Sequence, residues 1–187
     1  MPRPSDTKQR IQEVARELFA QRGVQRTGLQ EIADRLGITK PALYYHFSSR
    51  EELVRSIVQP IIDEEEAFLA DQEALRKVEP RALLEGYFDF HYRHRKDMVL
   101  MLGELTTLAD LGLIELVLAW RGRLVRLLYG PDPTLEQATR AVIAFGGIQD
   151  CTIQFADTPE DELRRAAVDG ACAALGIKTR RAAGRRA

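Results

Sequence analysis

The sequence predicts an all-α protein of about nine helices, and three observations indicate this fold class. Apolar residues recur three and four positions apart along most of the chain, which is the period of a helix packed on one side. No segment shows the alternation of apolar and polar residues that predicts a half-buried strand. Glycine or proline follows several of the periodic segments, as expected where a helix ends.

The first predicted helix runs from about Thr7 to Gln21, after a flexible arm formed by residues 1–6. Arg22-Gly23 ends this helix. Its apolar residues follow the pattern i, i+3, i+4, i+7, i+8, which predicts a helix that packs across the next two and completes a three-helix core. These residues are Ile11, Val14, Ala15, Leu18 and Phe19.

Residues 27–50 predict two short helices joined by a tight turn. Thr27 and Gln30 have the spacing of a capping box at the start of the first helix. Gly37 ends that helix, because glycine adopts the left-handed conformation of a C-cap without a steric cost. Thr39 can cap the second helix.

The second helix of this pair carries Pro41 in its first turn, where a missing N–H costs little. Leu43 and Phe47, four residues apart, give the helix a buried side. The other faces carry a short basic and aromatic surface, formed by Lys40, Ala42, Tyr44, Tyr45 and His46. A helix-turn-helix with such an exposed second helix has the features of a protein that reads the major groove of DNA.

The segment ADRLGITKPALYYHFSSREEL, residues 33–53, closely resembles the DNA-binding signature of the TetR (tetracycline-repressor-like) family of bacterial transcriptional regulators. The resemblance lies in the Gly-apolar-Thr turn, the Leu-Tyr-Tyr-His-Phe run and the basic residue beyond it. It extends over about residues 8–58, and the rest of the chain is similar to the family only in length and helical pattern. The resemblance implies a homodimer that regulates transcription from a palindromic operator, and we expect a repressor.

By motif position, the resemblance also implies individual DNA contacts. Lysine can donate to guanine, and apolar groups can meet thymine methyls. The expected base-edge contacts are Lys40, Pro41, Ala42 and Tyr44. The expected contacts to phosphates or sugars, which position the helix, are Thr39, Tyr45, His46 and Arg50. Gln30 matches a family position that contacts DNA, whereas Gly28 stands where the family commonly has a hydroxyl residue.

Structural alternatives remain open for these residues. Tyr44 can pack on the first helix instead of meeting a base, and His46 can be a capping or solvated histidine. The whole helix-turn-helix can also be a structural corner that touches no DNA. The exposed lysine, tyrosine and histidine side chains would then have no packing purpose.

The middle of the chain predicts further helices. The fourth begins after Ser48-Ser49 and contains Pro60, where we expect a kink. The fifth runs from near Pro80 to about Arg95 and is apolar on more than one face, which is typical of a helix at the centre of a bundle. Asp97 is expected to cap a sixth helix.

Gly112 marks the break before a seventh helix, and the loop Gly130-Pro131-Asp132-Pro133 follows that helix. Three arginines of the seventh helix are expected to form a solvated face: Arg121, Arg123 and Arg126. Thr134 is expected to cap an eighth helix that runs to about Ala156. The segment Thr158-Pro159-Glu160-Asp161 predicts the start of a ninth, with a cap, a proline and then acids in the first turn.

The resemblance implies that the eighth and ninth helices form the homodimer interface. Both mix small and large apolar residues, and the small ones allow a close approach of helices. The candidate contact residues are Ala138, Ala141, Val142, Phe145, Gly146, Gly147, Ile153, Leu163, Ala167, Gly170, Ala171, Ala174 and Leu175. The alternative is that the same faces pack within one subunit.

The family also keeps an effector pocket in the body of the protein. This chain has apolar residues with a few polar tips there, so we expect a small, largely apolar or aromatic effector. The candidate residues are Phe88, His91, Tyr92, Met101, Leu105, Trp120, Phe145 and Gln149. Two alternatives stay open: these residues are plain core, or the body docks a protein partner instead of a small molecule.

Charge supports the division of the chain into a helix-turn-helix domain at 1–50, a ligand-binding and dimerisation domain at 51–176 with the fourth helix as connector, and a basic disordered tail at 177–187. Residues 1–58 carry ten Lys/Arg against seven Asp/Glu, and residues 59–176 carry twelve against twenty-one. A basic head on an acidic body suits a protein that places one end on phosphates. The tail is a solubilising end or a second DNA arm.

Several function classes are disfavoured by what the sequence lacks. It shows no nucleophile motif, no glycine-rich phosphate loop and no convincing metal cluster, so we expect neither an enzyme nor a cofactor. His91 and His94 have a spacing that can ligate zinc, but we prefer a solvated or hydrogen-bonded pair and predict no metal site. Cys151 and Cys172 are expected to pack in the core. No apolar run approaches the ~18–20 residues of a membrane span, and we expect a cytoplasmic bacterial protein.

Overall fold

The computed structural model describes residues 4–102, 109 and 112–177, and in this part of the chain it contains eight helices and no strand. The helices are α1 (Pro4–Arg22), α2 (Leu29–Leu36), α3 (Lys40–His46), α4 (Arg50–Glu73), α5 (Pro80–Leu102), α6 (Leu113–Tyr129), α7 (Leu135–Gln154) and α8 (Glu160–Ala174). The prediction of an all-α fold is confirmed. The eighth and ninth predicted helices correspond to α7 and α8. None of the described helices contains an apolar stretch of the length and hydropathy that a membrane span needs.

The chain divides into two compact units. The first comprises the described residues of Met1–Glu66 and Lys96–Glu115, and the second those of Ala67–Arg95 and Leu116–Ala187. α4 and α5 therefore each contribute to both units. The domain boundary suggested by the sequence after residue 50 stays a prediction.

The core of the first unit is built by α1, α2, α3 and α4. The apolar stripe predicted for α1 is buried there, together with the inner faces of the other three helices. The buried side chains include Ile11, Ala15, Leu18, Phe19, Ile32, Leu43, Phe47, Leu53 and Ile57. The flexible arm predicted over residues 1–6 is wrong for residues 4–6, which are helical because proline is tolerated in the first turn of a helix. Residues 1–3, like the tail from 178 to 187, lie outside the described residues.

The start of α2 differs from the prediction. Thr27 is fully buried, and its hydroxyl donates to the carbonyl oxygen of Gly23 at 2.9 Å instead of accepting from α2. The N-cap is Gly28, which has an extended backbone and makes no side-chain hydrogen bond. Gln30 donates to Asp34 at 2.7 Å. The predicted capping box is therefore wrong, because the threonine closes the loop after α1.

The fifth helix continues past its predicted end at Arg95. α5 runs to Leu102, since no glycine or proline interrupts it on the way. Asp97 does not cap a new helix. Its carboxylate accepts a hydrogen bond from Nε of Arg16 at 2.9 Å, which ties the C-terminal part of α5 to α1 within the first unit.

In the second unit, ion pairs add to the buried apolar faces. The buried residues of α5 there are Leu83, Leu84, Tyr87, Phe88, Phe90 and His91. Arg164 of α8 binds both carboxylate oxygens of Asp89 on α5, at 2.6 and 3.0 Å. Arg81 of α5 contacts Asp169 of α8 at 2.8 Å. Both ion pairs thus join α5 to α8, and each of the two helices supplies one arginine and one aspartate.

The arginines of α6 do not form a common solvated face. Arg123 pairs with Glu73 at 2.8 Å, and Nη2 of Arg121 donates to Oε1 of Gln149 at 3.1 Å. Arg126 is exposed. The predicted solvated face is therefore right only for Arg126, because neighbouring helices supply acceptors to the other two.

The last two helices begin with different caps. The side-chain oxygen of Thr134 accepts from the backbone N–H of Gln137 at 3.2 Å, and the Gln137 side chain accepts from the Thr134 N–H at 2.8 Å, so α7 begins with a full capping box. α8 begins at Glu160, and its N-cap is Pro159 without a side-chain bond. The predicted cap at Thr158 is therefore wrong by one residue.

Candidate functional site

A short turn positions α3, and its geometry follows from the residues at its two ends. Gly37 has a φ of +68° and donates its N–H to the carbonyl oxygen of Asp34 at 3.1 Å, which ends α2. Thr39 has an extended backbone, and its hydroxyl oxygen accepts from the N–H of Ala42 at 3.3 Å. Pro41 lies in the first turn. The predicted C-cap at Gly37 and N-cap at Thr39 are confirmed.

α3 turns one side into the core and another away from it. Leu43 is completely buried, and Phe47, which caps the C-terminus, is 1% exposed. Tyr45 is 82% exposed. Apart from the half-buried His46, the outward side chains are all exposed: Lys40, Pro41, Ala42, Tyr44 and Tyr45. The structure thus brings together most of the residues that the sequence predicts as DNA contacts.

Two ring contacts arrange this outward surface. Nζ of Lys40 lies 5.6 Å from the centre of the Tyr44 ring, within the range of a cation–π interaction. The rings of Tyr45 and His46 meet edge to face at 5.2 Å. Because Tyr44 is 44% exposed, it is not buried against α1.

A cleft of about 450 Å³ lies beside α3 in the first unit. It is lined by residues 27–30 at the start of α2, by Lys40 and Tyr44 of α3, and by residues 48–51 at the start of α4. The N-terminus of a helix carries a partial positive charge, and two such termini border this cleft. The lining also holds Lys40, Arg50 and Glu51, so the positive groups outnumber the one carboxylate and the cleft can accept a negatively charged group, such as a phosphate.

Two predicted DNA contacts have partners within the chain. Arg50 donates to the carbonyl oxygen and to the side-chain oxygen of Gln25, both at 3.0 Å, and its nearest carboxylate is that of Glu51 at 3.7 Å. Gln30 is bonded to Asp34. Arg50 therefore anchors the loop after α1 to α4, and the residues of α3 are the stronger candidates for contacting a nucleic acid.

Comparison with known families identifies this arrangement of helices. Residues 11–57 match the model of a family described as bacterial regulatory proteins, tetR family. The helix-turn-helix segment of the chain is therefore similar to the tetR family. The matched segment contains the helix-turn-helix described above, so the resemblance found in the sequence is confirmed.

Curated relatives are similar to the N-terminal part of the chain. It is 41% identical over 81 residues to the transcriptional activator FasR of Mycolicibacterium smegmatis, and 33% identical over 75 residues to the transcriptional regulator TtgR of Pseudomonas putida. These alignments cover 41% and 40% of this chain, and they span only 36% of the length of either relative. Both relatives are named as regulators, which agrees with the prediction that the chain is not an enzyme.

Solved structures are similar over nearly the whole chain. A transcriptional regulator from Aquifex aeolicus has a TM-score of 0.70 at 24% identity, with 88% of this chain and 96% of that one covered. AmtR of Mycobacterium smegmatis has a TM-score of 0.74 at 17% identity, with 96% and 89% covered. At these identities the likeness shows that the chain shares their fold.

The residues predicted to bind an effector are brought together only in part. Four of them are buried: Phe88, His91, Trp120 and Phe145. Tyr92 and Gln149 are half-buried, and Phe88 stacks on Tyr92 with ring centres 5.6 Å apart. Leu105 and the side chain of Met101 lie outside the described residues.

His91 lies among aromatic rings in the second unit. Its ring centre is 4.2 Å from that of Tyr87 and 5.1 Å from that of Phe90, and Tyr87 in turn meets Phe145 at 4.9 Å. Among the described residues, neither ring nitrogen of His91 has a hydrogen-bond partner. Burial, with a smaller contribution from the charge of Arg121, lowers the pKa of His91 to about 3. The imidazole is therefore neutral at physiological pH.

The sequence did not predict two of the residues that surround His91, namely Tyr87 and Arg121. A signal for Tyr87 was available, since it precedes His91 by four residues and shares its helix face. Arg121 follows the buried Trp120, so an arginine at this point of the helix borders the core. The guanidinium of Arg121 bonds to Gln149 of α7, which is far away in sequence, so only the structure shows this contact.

The histidine pair of α5 does not extend to a metal cluster in the described residues. No group of three His, Cys, Asp or Glu side chains there is arranged to hold a metal ion. The ring of His94 lies 5.0 Å from the ring of Phe90. Of the two free cysteines, Cys172 is buried and Cys151 is half-buried.

We expect the free energy of unfolding to decrease as the pH is lowered below about 6.5, and we expect His91 to cause part of this decrease. Because its folded pKa of about 3 is far below the 6.5 of an unfolded histidine, the unfolded chain binds a proton that the folded chain does not. The stabilisation is complete above pH 6.5 and decreases steadily towards pH 3. Urea unfolding of the wild type and of His91→Phe between about pH 8 and pH 4.5 measures this difference. Equal decreases in the two proteins would contradict it.

α7 and α8 pack on each other through one face and leave another face open. Five predicted interface residues are already buried within the chain: Ala141, Phe145, Leu163, Ala167 and Ala171. Their burial agrees with the intramolecular alternative, and the interface stays a prediction. The open face carries Val142, Ile143 and Gly147 on α7 and Ala166, Gly170 and Ala173 on α8. A Cβ added at Gly147 or Gly170 would meet no atom within 4 Å, so the open face leaves room for a close approach there.

Proposed function

We propose that this chain is a homodimeric transcription regulator, acting in the bacterial cytoplasm, that binds a palindromic operator and releases it when a small, largely apolar molecule binds the second unit. The observation that carries the proposal is α3. It is a tetR-family helix whose inner side, Leu43 and Phe47, is buried, while its lysine and two tyrosines project from the other side. Such a helix can enter the major groove while the rest of the first unit stays outside.

The exposed residues of α3 suit different parts of the groove. The ammonium group of Lys40 can donate to guanine O6 and N7, and Pro41, Ala42 and the ring of Tyr44 can meet thymine methyls. Thr39, Tyr45 and His46 are placed to contact the sugar-phosphate backbone, which sets the register of the helix. The cleft between α2, α3 and α4 can accept a phosphate through the two helix N-termini.

The proposed dimer uses the open face of α7 and α8. One helix of seven residues makes too few contacts to select a site in a genome, so a second copy is needed. Val142 and Ile143 are 48% and 63% exposed and adjacent to each other, and a contiguous apolar patch is the kind of surface that a partner covers. A twofold dimer fits a palindrome whose half-sites are about 34–36 Å apart, one turn of DNA.

Release requires an effector that prefers the arrangement in which the two α3 helices no longer match the operator. α4 and α5 both contribute to the two units, so a change at His91 on α5 can be passed on along a continuous helix. Occupation of an operator supports repression, and we propose a repressor. The relative FasR is named an activator, so repression is not carried over from relatives. Transcription measured with and without the protein distinguishes repression from activation.

A genomic-fragment selection at two salt concentrations tests the proposed function. We expect recovery of a palindrome whose affinity decreases steeply with salt, because Lys and Arg displace counterions from phosphates. Lys40→Ala is expected to relax the sequence preference at one position in each half-site, at a cost of about 1–3 kcal/mol per contact. Lys77→Ala, an exposed lysine of the second unit, serves as the matched control and should change nothing. A folded, dimeric protein that recovers no preferred sequence would refute the proposal.

A further inference from the structure

We propose that the effector carries a carboxylate on an apolar body, and that Arg121 and His91 bind this carboxylate between α5, α6 and α7. The inference rests on the proposed function for the existence of an effector and adds its chemical class. It follows from the positions of His91, Arg121 and Gln149 in the second unit. Among the described residues, His91 has no hydrogen-bond partner and Arg121 has no carboxylate partner.

The three helices meet through contacts on both sides of the site. Tyr87 and His91 are one turn apart on α5, and the ring of Tyr87 meets Phe145 of α7 at 4.9 Å. Gln149 follows Phe145 by one turn and accepts a hydrogen bond from Arg121 of α6 at 3.1 Å. The aromatic contact and the arginine–glutamine bond thus lie on adjacent turns of α7. His91 lies beside the aromatic contact, and the positive charge of Arg121 contributes to lowering its pKa.

Among the described residues, Arg121 has no carboxylate partner. Four other half-buried arginines of this chain contact a carboxylate at 2.6–2.9 Å: Arg16, Arg81, Arg123 and Arg164. Arg121 is also half-buried, but its described partner is the neutral amide of Gln149. A guanidinium has five N–H donors arranged in a planar fork that matches a carboxylate. The bond to Gln149 fixes the direction of the fork and leaves donors for an anion.

His91 supplies the second polar group. It is 5% exposed, and both of its nitrogens lack a partner among the described residues. A buried polar group without a partner costs free energy, which a ligand can recover by bonding to it. The neutral imidazole has one N–H, and this N–H can donate to the second oxygen of a carboxylate held by Arg121.

The surroundings exclude other classes of ligand. A cationic ligand would be repelled by Arg121. A purely apolar one would leave His91 without a hydrogen-bond partner and the charge of Arg121 without an anion. The rings that contact His91 or one another there are buried: Tyr87, Phe90 and Phe145. An apolar acid therefore satisfies both parts of the site, with its carboxylate on Arg121 and His91 and its body against the rings.

Two matched pairs of probes test the chemical class with the full chain: dodecanoate against dodecanol, and naphthoate against naphthylmethanol. Each probe is titrated calorimetrically below its aggregation concentration. In at least one pair, we expect the acid to bind about tenfold more tightly than the alcohol, since a hydrogen bond between charged partners is the stronger kind. Arg121→Gln should remove this preference, whereas Arg126→Gln, an exposed arginine of the same helix, should keep it.

His91→Phe provides an independent variant that keeps the size and apolar character of the ring. It should weaken binding of the acid severalfold and leave binding of the alcohol unchanged. The inference is overturned if neither acid binds better than its alcohol, or if the preference survives Arg121→Gln. Operator binding without any probe is measured on the same samples, so that a failure of DNA binding, which concerns the proposed function, is read separately from a failure of acid recognition.

Discussion

Replacing Ile143 by glutamate is expected to convert the dimer into monomers and to lower operator affinity by a factor on the order of 100 or more. Ile143 is 63% exposed on the open face of α7 and lies beside Val142. On a twofold interface the substitution places two carboxylates in one apolar contact, and burying unpaired charges costs several kcal/mol. Each monomer then binds a single half-site, and the gain from simultaneous binding of two half-sites is lost.

Sedimentation velocity measures the dimer, and a gel-shift titration on the selected operator measures the affinity. Because the side chain is exposed within one chain, the variant should keep the helical circular dichroism of the wild type. Leu75→Glu is the control, since Leu75 is 51% exposed but lies between α4 and α5, outside the open face. A variant that stays dimeric would show that the interface lies elsewhere.

Replacing Phe47 by alanine is expected to lower the free energy of unfolding of the first unit by about 3–5 kcal/mol. Phe47 is 1% exposed and packs in the core shared by α1, α2, α3 and α4. Its removal leaves a cavity the size of an aromatic ring, and the surrounding helices can close it only partly. Such a loss is a large part of the stability of a small domain, so operator binding should fail at moderate temperature.

Tyr45→Ala is the matched control, two residues earlier in the same helix. Tyr45 is 82% exposed, so we expect its truncation to change the free energy of unfolding by no more than about 0.5 kcal/mol. It should nevertheless weaken operator binding severalfold, because the proposed backbone contact is lost. Urea unfolding combined with gel-shift titration separates the two effects. Equal losses of stability in both variants would contradict the assignment of α3 into a buried and an outward side.

Predictions from sequence succeeded where a local pattern decides the outcome. Thr134 forms a capping box with Gln137 three positions later, and Gly37 ends α2 because its own backbone adopts the left-handed conformation. Leu43 and Phe47 are buried because they are four residues apart on a helix that must pack on one side. The family resemblance rests on the same short segment and is confirmed there.

Predictions failed where a distant residue competes for the same group. Thr27 has the spacing of a cap, but its hydroxyl is taken by the loop after α1. Asp97 was predicted to begin a helix, yet Arg16, eighty-one positions earlier, binds its carboxylate within an unbroken α5. Periodicity also could not show which apolar residues of α7 face other helices of the same chain, so Phe145, which meets Tyr87 of α5, was assigned to the dimer interface.

The sequence by itself determined the helical fold class, the caps around α3 and the identity of the side chains that α3 turns outward. These features depend on residues within about four positions of one another, which the helical repeat connects. Only the tertiary structure decided that Arg121 meets a glutamine where other half-buried arginines meet a carboxylate, and that His91 has no partner among the described residues. Both results depend on which acceptors the neighbouring helices bring near, and no local spacing in the chain encodes that.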